Sequence, residues 1–214
     1  MNDLHIGKEN VGKISERIIA NELEACGFLV RDLNLEGISA NADLLAMKDE
    51  KVWQIQVKGS TYNPWWFQYG YCKEEHISDP NARLFNRAKG PFMANIVALV
   101  CVRSPFEYQF LLLPVDVAEA AAQINLGYAY RTKKPNGDAK KPSKVWFTLY
   151  PVHARTQIAQ DGQQREQEML RPFLVDRSRA ENPELREQQK TRISELLSKV
   201  FVPSKSNETD LGRG

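Results

Sequence analysis

Little in this chain points to chemistry built on sulfur or imidazole. Its 214 residues hold three cysteines, Cys26, Cys72 and Cys101, in apolar or aromatic surroundings and without a CxxC spacing. An odd number of cysteines with no framework argues against a disulfide scaffold and for core or boundary thiols in a reducing compartment. The three histidines, His5, His76 and His153, stand alone, without the spacing of a zinc site. Long apolar runs are missing as well. The longest, Ile96 to Val102, is far too short to cross a bilayer, and the N-terminus lacks the apolar core of a signal peptide. A formal net charge of +2 excludes no partner class, so the distribution of charge matters more than its sum. No internal repeat is found. The expectation is a soluble, cytoplasmic protein that makes no membrane contact.

What is present is a globular composition, 42% hydrophobic and 26% charged, on a chain long enough for one domain of ordinary size and an appendage. Periodicity predicts a helix over Lys13 to Cys26, closed by Gly27. Ile14, Ile18, Ile19, Leu23, Ala25 and Cys26 cover one side of it. Glu16 falls at the margin of that apolar arc, and Glu22 falls inside it. A buried carboxylate without a partner is costly, so each needs a partner or a water-filled edge. A short strand, Phe28 to Asp32, and a loop, Leu33 to Ala42, follow.

The next stretch, Asp43 to Lys58, reads as a β-hairpin. Two apolar runs, Asp43 to Met47 and Val52 to Lys58, flank the polar turn Lys48-Asp49-Glu50-Lys51. A turn centred between Asp49 and Glu50 pairs Met47 with Val52, Leu45 with Gln54 and Asp43 with Gln56. Alternation then gives Leu44, Ala46, Trp53, Ile55 and Val57 one apolar face, and Asp43, Gln54, Gln56 and Lys58 the other. Opposed Cβ atoms in an antiparallel pair lie ~4.5–5.5 Å apart, close enough for Asp43 and Gln56 oxygens to share one cation. A carboxylate, an amide oxygen and an ammonium on one face suit metal-assisted hydrolysis.

Beyond the hairpin, Gly59 and Ser60 are read as a strand break and Pro64 as a loop. The aromatic cluster Trp65, Trp66, Phe67, Tyr69 and Tyr71 suits core packing, or stacking on the bases of a single strand. His76 to Pro91 reads as loop. Ile96 to Val102 suits a strand buried on both faces of a mixed sheet, Tyr108 to Leu113 a further strand, and Val115 to Ile124 a helix opening after Pro114. Arg131 to Lys144 carries six basic residues, Arg131, Lys133, Lys134, Lys140, Lys141 and Lys144, against one acid, Asp138. This segment is a candidate nucleic-acid contact, because each neutralised phosphate releases counterions; the alternative is a solvated loop. Val145 to Leu149 is a strand. From residue 154 onward the chain turns charged, with no strand expected. Asn182-Pro183 caps a helix whose apolar stripe runs through Leu185, Ile193, Leu196, Leu197, Val200 and Phe201, and Ser204 to Gly214 reads as a disordered tail. The division expected is an α/β domain over 1–153 and a charged helical extension over 154–214.

With these elements in place, Gly12 to Ser60 resembles the PD-(D/E)XK nuclease superfamily, the fold of many restriction enzymes and Holliday-junction resolvases. The matching residues are Ser15-Glu16 on the first helix, Gly27, Ala42-Asp43 and Gln56-Val57-Lys58, closest to the branch that reads Gln-x-Lys on its third strand. Ile96 to Leu113 is similar to the later core strands. Two departures stand out: Ala42 replaces a frequent proline, and neutral Gln56 replaces an acid. The resemblance implies a restriction-endonuclease-like core, a mixed central sheet flanked by helices, with a C-terminal helical appendage.

It also implies an endonuclease that hydrolyses DNA phosphodiester bonds with Mg²⁺ or Mn²⁺. Asp43, Gln56, the Val57 carbonyl and Glu16 would hold the metal, and Lys58 would orient water or stabilise developing charge. Glu16 would restore the negative charge that Gln56 lacks. RNA stays open as a substrate. So does a homodimer, by analogy with enzymes that cut two strands. The alternative is a catalytically silent nuclease fold that binds nucleic acid or a protein partner, which Gln56 permits.

Overall fold

The first helix, α1 (Lys8–Ala25), ends where Gly27 is free to turn the chain. In this computed structural model, which describes residues 8–36, 42–61, 66–82, 94–104, 107–134, 136–138, 140–141, 144–149, 156–177 and 182–200, Gly27 takes φ +81°. Its N–H donates to the Glu24 carbonyl at 2.9 Å, and the Phe28 N–H donates to the Leu23 carbonyl at 3.1 Å. This is a Schellman cap, and the apolar contact that accompanies one is supplied by Leu23 and Phe28, buried in the same cluster.

The cap delivers the chain into a meander of β1 (Leu29–Asp32), β2 (Leu44–Lys48) and β3 (Lys51–Ser60). In the hairpin Met47 pairs with Val52 and Leu45 with Gln54 as expected, but the ladder ends at Leu44 and Ile55, so the expected pairing of Asp43 with Gln56 is not formed. Its two turn residues, Asp49 and Glu50, have φ of +49° and +62°, the left-handed pair that matches the twist of a two-residue hairpin. β3 does not stop at Gly59 as the sequence suggests; it continues through Ser60. Glycine serves close approach there instead. A Cβ at Gly59 would lie 2.3 Å from Ser15 Oγ and 2.9 Å from both the Val11 side chain and its carbonyl oxygen, so α1 packs directly on the β3 backbone.

β4 (Trp66–Tyr71) pairs with β7 (Lys144–Thr148) in a separate two-stranded ladder. The aromatic cluster therefore contributes a strand, for which the sequence gives no expectation beyond core packing or base stacking; the side chains of β4 lie outside the described residues. α2 (Glu74–Ser78) is a short helix that runs into the segment expected to be loop, His76 to Pro91, of which residues 83–91 lie outside the described residues. β5 (Ile96–Ser104) runs parallel to β3, and β6 (Glu107–Pro114) returns antiparallel. Asn95 ties the start of β5 to its neighbours, since its side chain accepts the Gln54 N–H at 2.8 Å and its carbonyl accepts the Val115 N–H at 3.0 Å. α3 (Val115–Ala129) then opens after Pro114 as expected.

No strand is expected beyond residue 154, yet β8 (Leu174–Asp176) pairs with β6 and completes a six-stranded mixed sheet in the order β1-β2-β3-β5-β6-β8. A three-residue strand is too short to show a period of its own, so only its partner reveals it. α4 (Gln157–Leu170) and α5 (Pro183–Ser198) complete the fold, with Asn182 accepting the Glu184 N–H at 2.9 Å as the cap of α5. Phe201 and the tail after it lie outside the described residues.

Alternation along the strands buries both faces of the sheet. Leu44, Ala46, Trp53, Ile55, Ala98 and Val100 pack with Ile18, Ile19 and Leu23 of α1 and with Ile193, Leu196 and Leu197 of α5. The Trp53 indole N–H donates to the Leu197 carbonyl at 3.0 Å and fixes that helix in place. Leu45, Val97, Leu99, Leu111 and Leu113 pack on the other side with Ala118, Ala121, Ala122 and Leu126 of α3. Cys72 and Cys101 are buried among these residues, as the sequence suggests. The architecture is α/β, a mixed sheet flanked by helices. Among the described residues no helix is long and apolar enough to cross a membrane.

Glu22, the acid inside the apolar arc of α1, finds its partner across the sheet edge. It is 6% exposed and ion-paired with Arg177, itself 2% exposed, which follows β8 directly. The Tyr108 hydroxyl donates to Glu22 at 2.5 Å, and Arg177 also donates to Gln189 of α5 at 2.6 Å. The burial and the carboxylate together hold the Tyr108 phenol well above its ordinary pKa.

Removing one member of this cluster strands a buried charge, so Arg177→Ala should cost about 3–5 kcal/mol in urea denaturation. The double change Glu22→Leu with Arg177→Met should recover most of that loss. Gly59→Ala should cost about 1–3 kcal/mol in the same measurement, because the α1 backbone has to move to admit one methyl group.

Candidate active site

Asp43 sits where the β2–β3 ladder runs out. Leu44 and Ile55 are its last paired residues, while β3 extends to Ser60. The Asp43 side chain continues the pairing in place of a strand. Its Oδ2 accepts the Val57 N–H at 2.6 Å, and its own N–H donates to the Ile55 carbonyl at 2.8 Å. Its Oδ1 accepts the Asn34 side-chain N–H at 3.1 Å, and its carbonyl accepts the Leu33 N–H at 2.9 Å. Four hydrogen bonds hold one residue, so its carboxylate has a single orientation. Val57 meets Asp43 through its N–H, whereas the resemblance implies its carbonyl as a metal donor.

α1 brings Glu16 to the same place. Burial and then the negative charge of Asp43 raise the proton affinity of its carboxylate, with Asp32 adding to the effect. A hydrogen bond from the Asn34 side chain and the charge of Lys13 work the other way. Lys58 stands on β3 beyond Gln56, half-buried. Burial pushes its pKa down, and the Asp43 carboxylate opposes that push. Asp43 is thus the centre that both Glu16 and Lys58 feel. Gln56 is half-buried, opposite Val97 of β5.

The face that carries Gln54, Gln56 and Lys58 is less polar in its surroundings than the hairpin alone suggests. Leu45 on β2 and Val97 and Leu99 on β5 belong to the core beneath α3. As a result the Gln54 side-chain oxygen is buried without a hydrogen-bond partner. Ser15 Oγ, next to Glu16 and pressed against Gly59, is likewise buried without one.

Asn34 is the residue that sequence reading left inside a loop. Asp32 Oδ1 accepts the main-chain N–H groups of Asn34 and Leu35, each at 3.0 Å, and so shapes the turn that aims the Asn34 amide at Asp43. The local signal for such a turn is the Asp-Leu-Asn run itself, in which an aspartate bonds a backbone N–H two residues on. Nothing local says what the amide reaches.

The basic segment is tied to α2 and α3. Arg131 spends its guanidinium on the carbonyls of His76, Ile77 and Asp79, at 2.9, 3.3 and 3.1 Å, and on the Gln123 side chain at 2.8 Å. A cation at a helix C-terminus satisfies orphan carbonyls, and that structural duty takes Arg131 out of the set of phosphate contacts. Lys140 donates to Thr132 Oγ1 at 2.9 Å, and burial lowers its pKa. Lys133, Lys134 and Lys141 are exposed, while the Lys144 side chain lies outside the described residues.

Among the described residues no three histidine, cysteine, aspartate or glutamate side chains form a group that could hold a metal ion. The donor set at Asp43 is smaller: two carboxylates, Asp43 and Glu16, with the Gln56 amide on the adjoining strand. Such oxygens fit Mg²⁺ or Mn²⁺, which keep several waters and use one or two protein carboxylates. The repulsion between Asp43 and Glu16 is the condition a cation relieves.

No protein-family model matches this chain, and no curated protein does. A solved structure titled "Crystal Structure of MepB" is 12% identical and covers 70% of this chain and 84% of its own, with a TM-score of 0.29. An overlap that slight carries no argument about fold or function.

Proposed function

We propose that this chain is a metal-dependent endonuclease with a restriction-endonuclease-like core, which hydrolyses phosphodiester bonds of DNA. The observation that supports the reading is an Asp43 carboxylate held by the Val57 N–H and the Asn34 amide, whose charge acts on both Glu16 of α1 and Lys58 of β3. Burial acts against the charged forms of both Glu16 and Lys58, and charges kept at such a cost cluster at functional sites.

Asp43, Glu16 and the Gln56 amide oxygen would hold Mg²⁺ or Mn²⁺. When bound, such a cation acts as a Lewis acid and lowers the pKa of a coordinated water. The protein's own share is positional. The Val57 N–H and the Asn34 amide orient Asp43, and Lys58 places a positive point charge beside it, suited to a phosphate oxygen. Partial burial limits the water around Lys58, which strengthens that charge. Lys133, Lys134 and Lys141 supply phosphate contacts at a distance from the chemistry. The chain is proposed to act in the cytoplasm. A second reading, a silent fold that binds nucleic acid, draws on Gln56, the neutral member of the site.

Asp43→Ala and Lys58→Ala should each lower Mg²⁺-dependent cleavage of plasmid and branched DNA at least about 10²–10³-fold, with circular dichroism unchanged. Cleavage at the wild-type rate by both variants would sink the assignment. DNA binding in EDTA by a wild-type protein that cuts nothing in Mg²⁺ would favour the silent reading.

Glu16 gives a pH test. Its folded pKa lies above the unfolded one, so the native state carries a penalty at neutral pH that disappears as pH falls through the folded pKa and then through the ordinary glutamate value. Glu16→Gln should therefore unfold at higher urea than wild type at pH 7, and the gap should close near pH 4. Equal stability across that range would show that Glu16 is solvated and outside the site.

A further inference from the structure

We infer that Asn34 is a positioning residue for cation binding at this site, its carboxamide holding the Asp43 carboxylate in one orientation. The inference rests on the metal-dependent reading above. It goes beyond that reading because Asn34 belongs to no part of the nuclease-like pattern and lies on the turn between β1 and β2.

The turn is built to aim this amide. The Asp32 carboxylate accepts the N–H groups of residues 34 and 35, and the Glu36 N–H donates to the Asp32 carbonyl at 3.3 Å. Arg31 then pairs with Glu36 across the turn at 2.5 Å. From this fixed backbone Asn34 Nδ2 donates to Asp43 Oδ1 at 3.1 Å. The Val57 N–H holds the other Asp43 oxygen. Each Asp43 oxygen accepts one of these hydrogen bonds and keeps a lone-pair direction open, so the donors orient the carboxylate without blocking a cation.

The Glu16 charge would otherwise push the Asp43 carboxylate aside. Asn34 restrains that motion. Hydrogen-bond partners behind metal ligands typically set affinity by about 10–100-fold. Asn34 is exposed and makes no part of the core, so its side chain can be removed with the fold intact.

The test titrates Mn²⁺ into the full chain by calorimetry and electron paramagnetic resonance, comparing wild type, Asn34→Ala and Asp43→Asn. Asn34→Ala should bind Mn²⁺ about 10–100-fold more weakly. Its cleavage should fall at limiting Mn²⁺ and return to the wild-type rate at saturating Mn²⁺, and its melting temperature without cation should match wild type. A merely structural residue would not show rescue by cation. Asn34→Ala affinity equal to or tighter than wild type overturns the inference, as does cleavage that stays low at saturating Mn²⁺. Those results leave the proposed function standing as long as wild type binds Mn²⁺ and Asp43→Asn does not. Failure of wild type to take up Mn²⁺ overturns both.

Discussion

β3 is longer than the strand beside it, and everything at the site follows from how its open edge is covered. Past Ile55 the strand loses β2 as a partner while keeping β5 on its other side. Backbone N–H groups left bare on such an edge are costly when buried. Asp43 supplies an acceptor for Val57, and α1 closes over the glycine two residues further on. One requirement, an acceptor for the edge of a half-buried strand, thus places a carboxylate where Lys58 and Glu16 can reach it. Register is what secures this, because a slip by one residue would turn Lys58 into the α1 core and Val57 out of it.

Two acids on α1 show how different environments treat the same side chain. Glu22 is the more buried, yet it is fully provided for: Arg177 pairs with it and Tyr108 donates to it. Its position staples the segment after β8 onto the first helix and contributes to holding α5 in place. Glu16 is less buried, yet faces Asp43 and Asp32 with only one amide and Lys13 to offset them. Full compensation suits a structural role. Partial compensation, beside a second carboxylate, suits a group kept for what it can bind. Cost decides between the two readings; depth of burial does not.

The basic segment illustrates a different division of labour. Six cations in a short stretch invite a single interpretation as an anion-binding loop, but the structure separates them. Arg131 is consumed by the C-terminal carbonyls of α2, and Lys140 leans on Thr132, whereas Lys133, Lys134 and Lys141 face outward. Charge counted along a sequence does not distinguish a cation that caps a helix from one that meets solvent.

The chain's local patterns determined a good deal. Gly27 after an amphipathic run produced the Schellman cap, alternation across Asp49-Glu50 set the hairpin register, and the unbroken run from Ile96 marked a strand buried on both faces. Each depends on residues close in sequence, where backbone geometry and side-chain period act directly. Tertiary structure alone decided the rest. It made Gly59 a contact point for α1, recruited β8 and Arg177 from the charged C-terminal region, and aimed Asn34 at Asp43. Those outcomes depend on which distant surfaces meet, because a strand of three residues, a buried counter-ion and a single amide on a turn carry no period of their own.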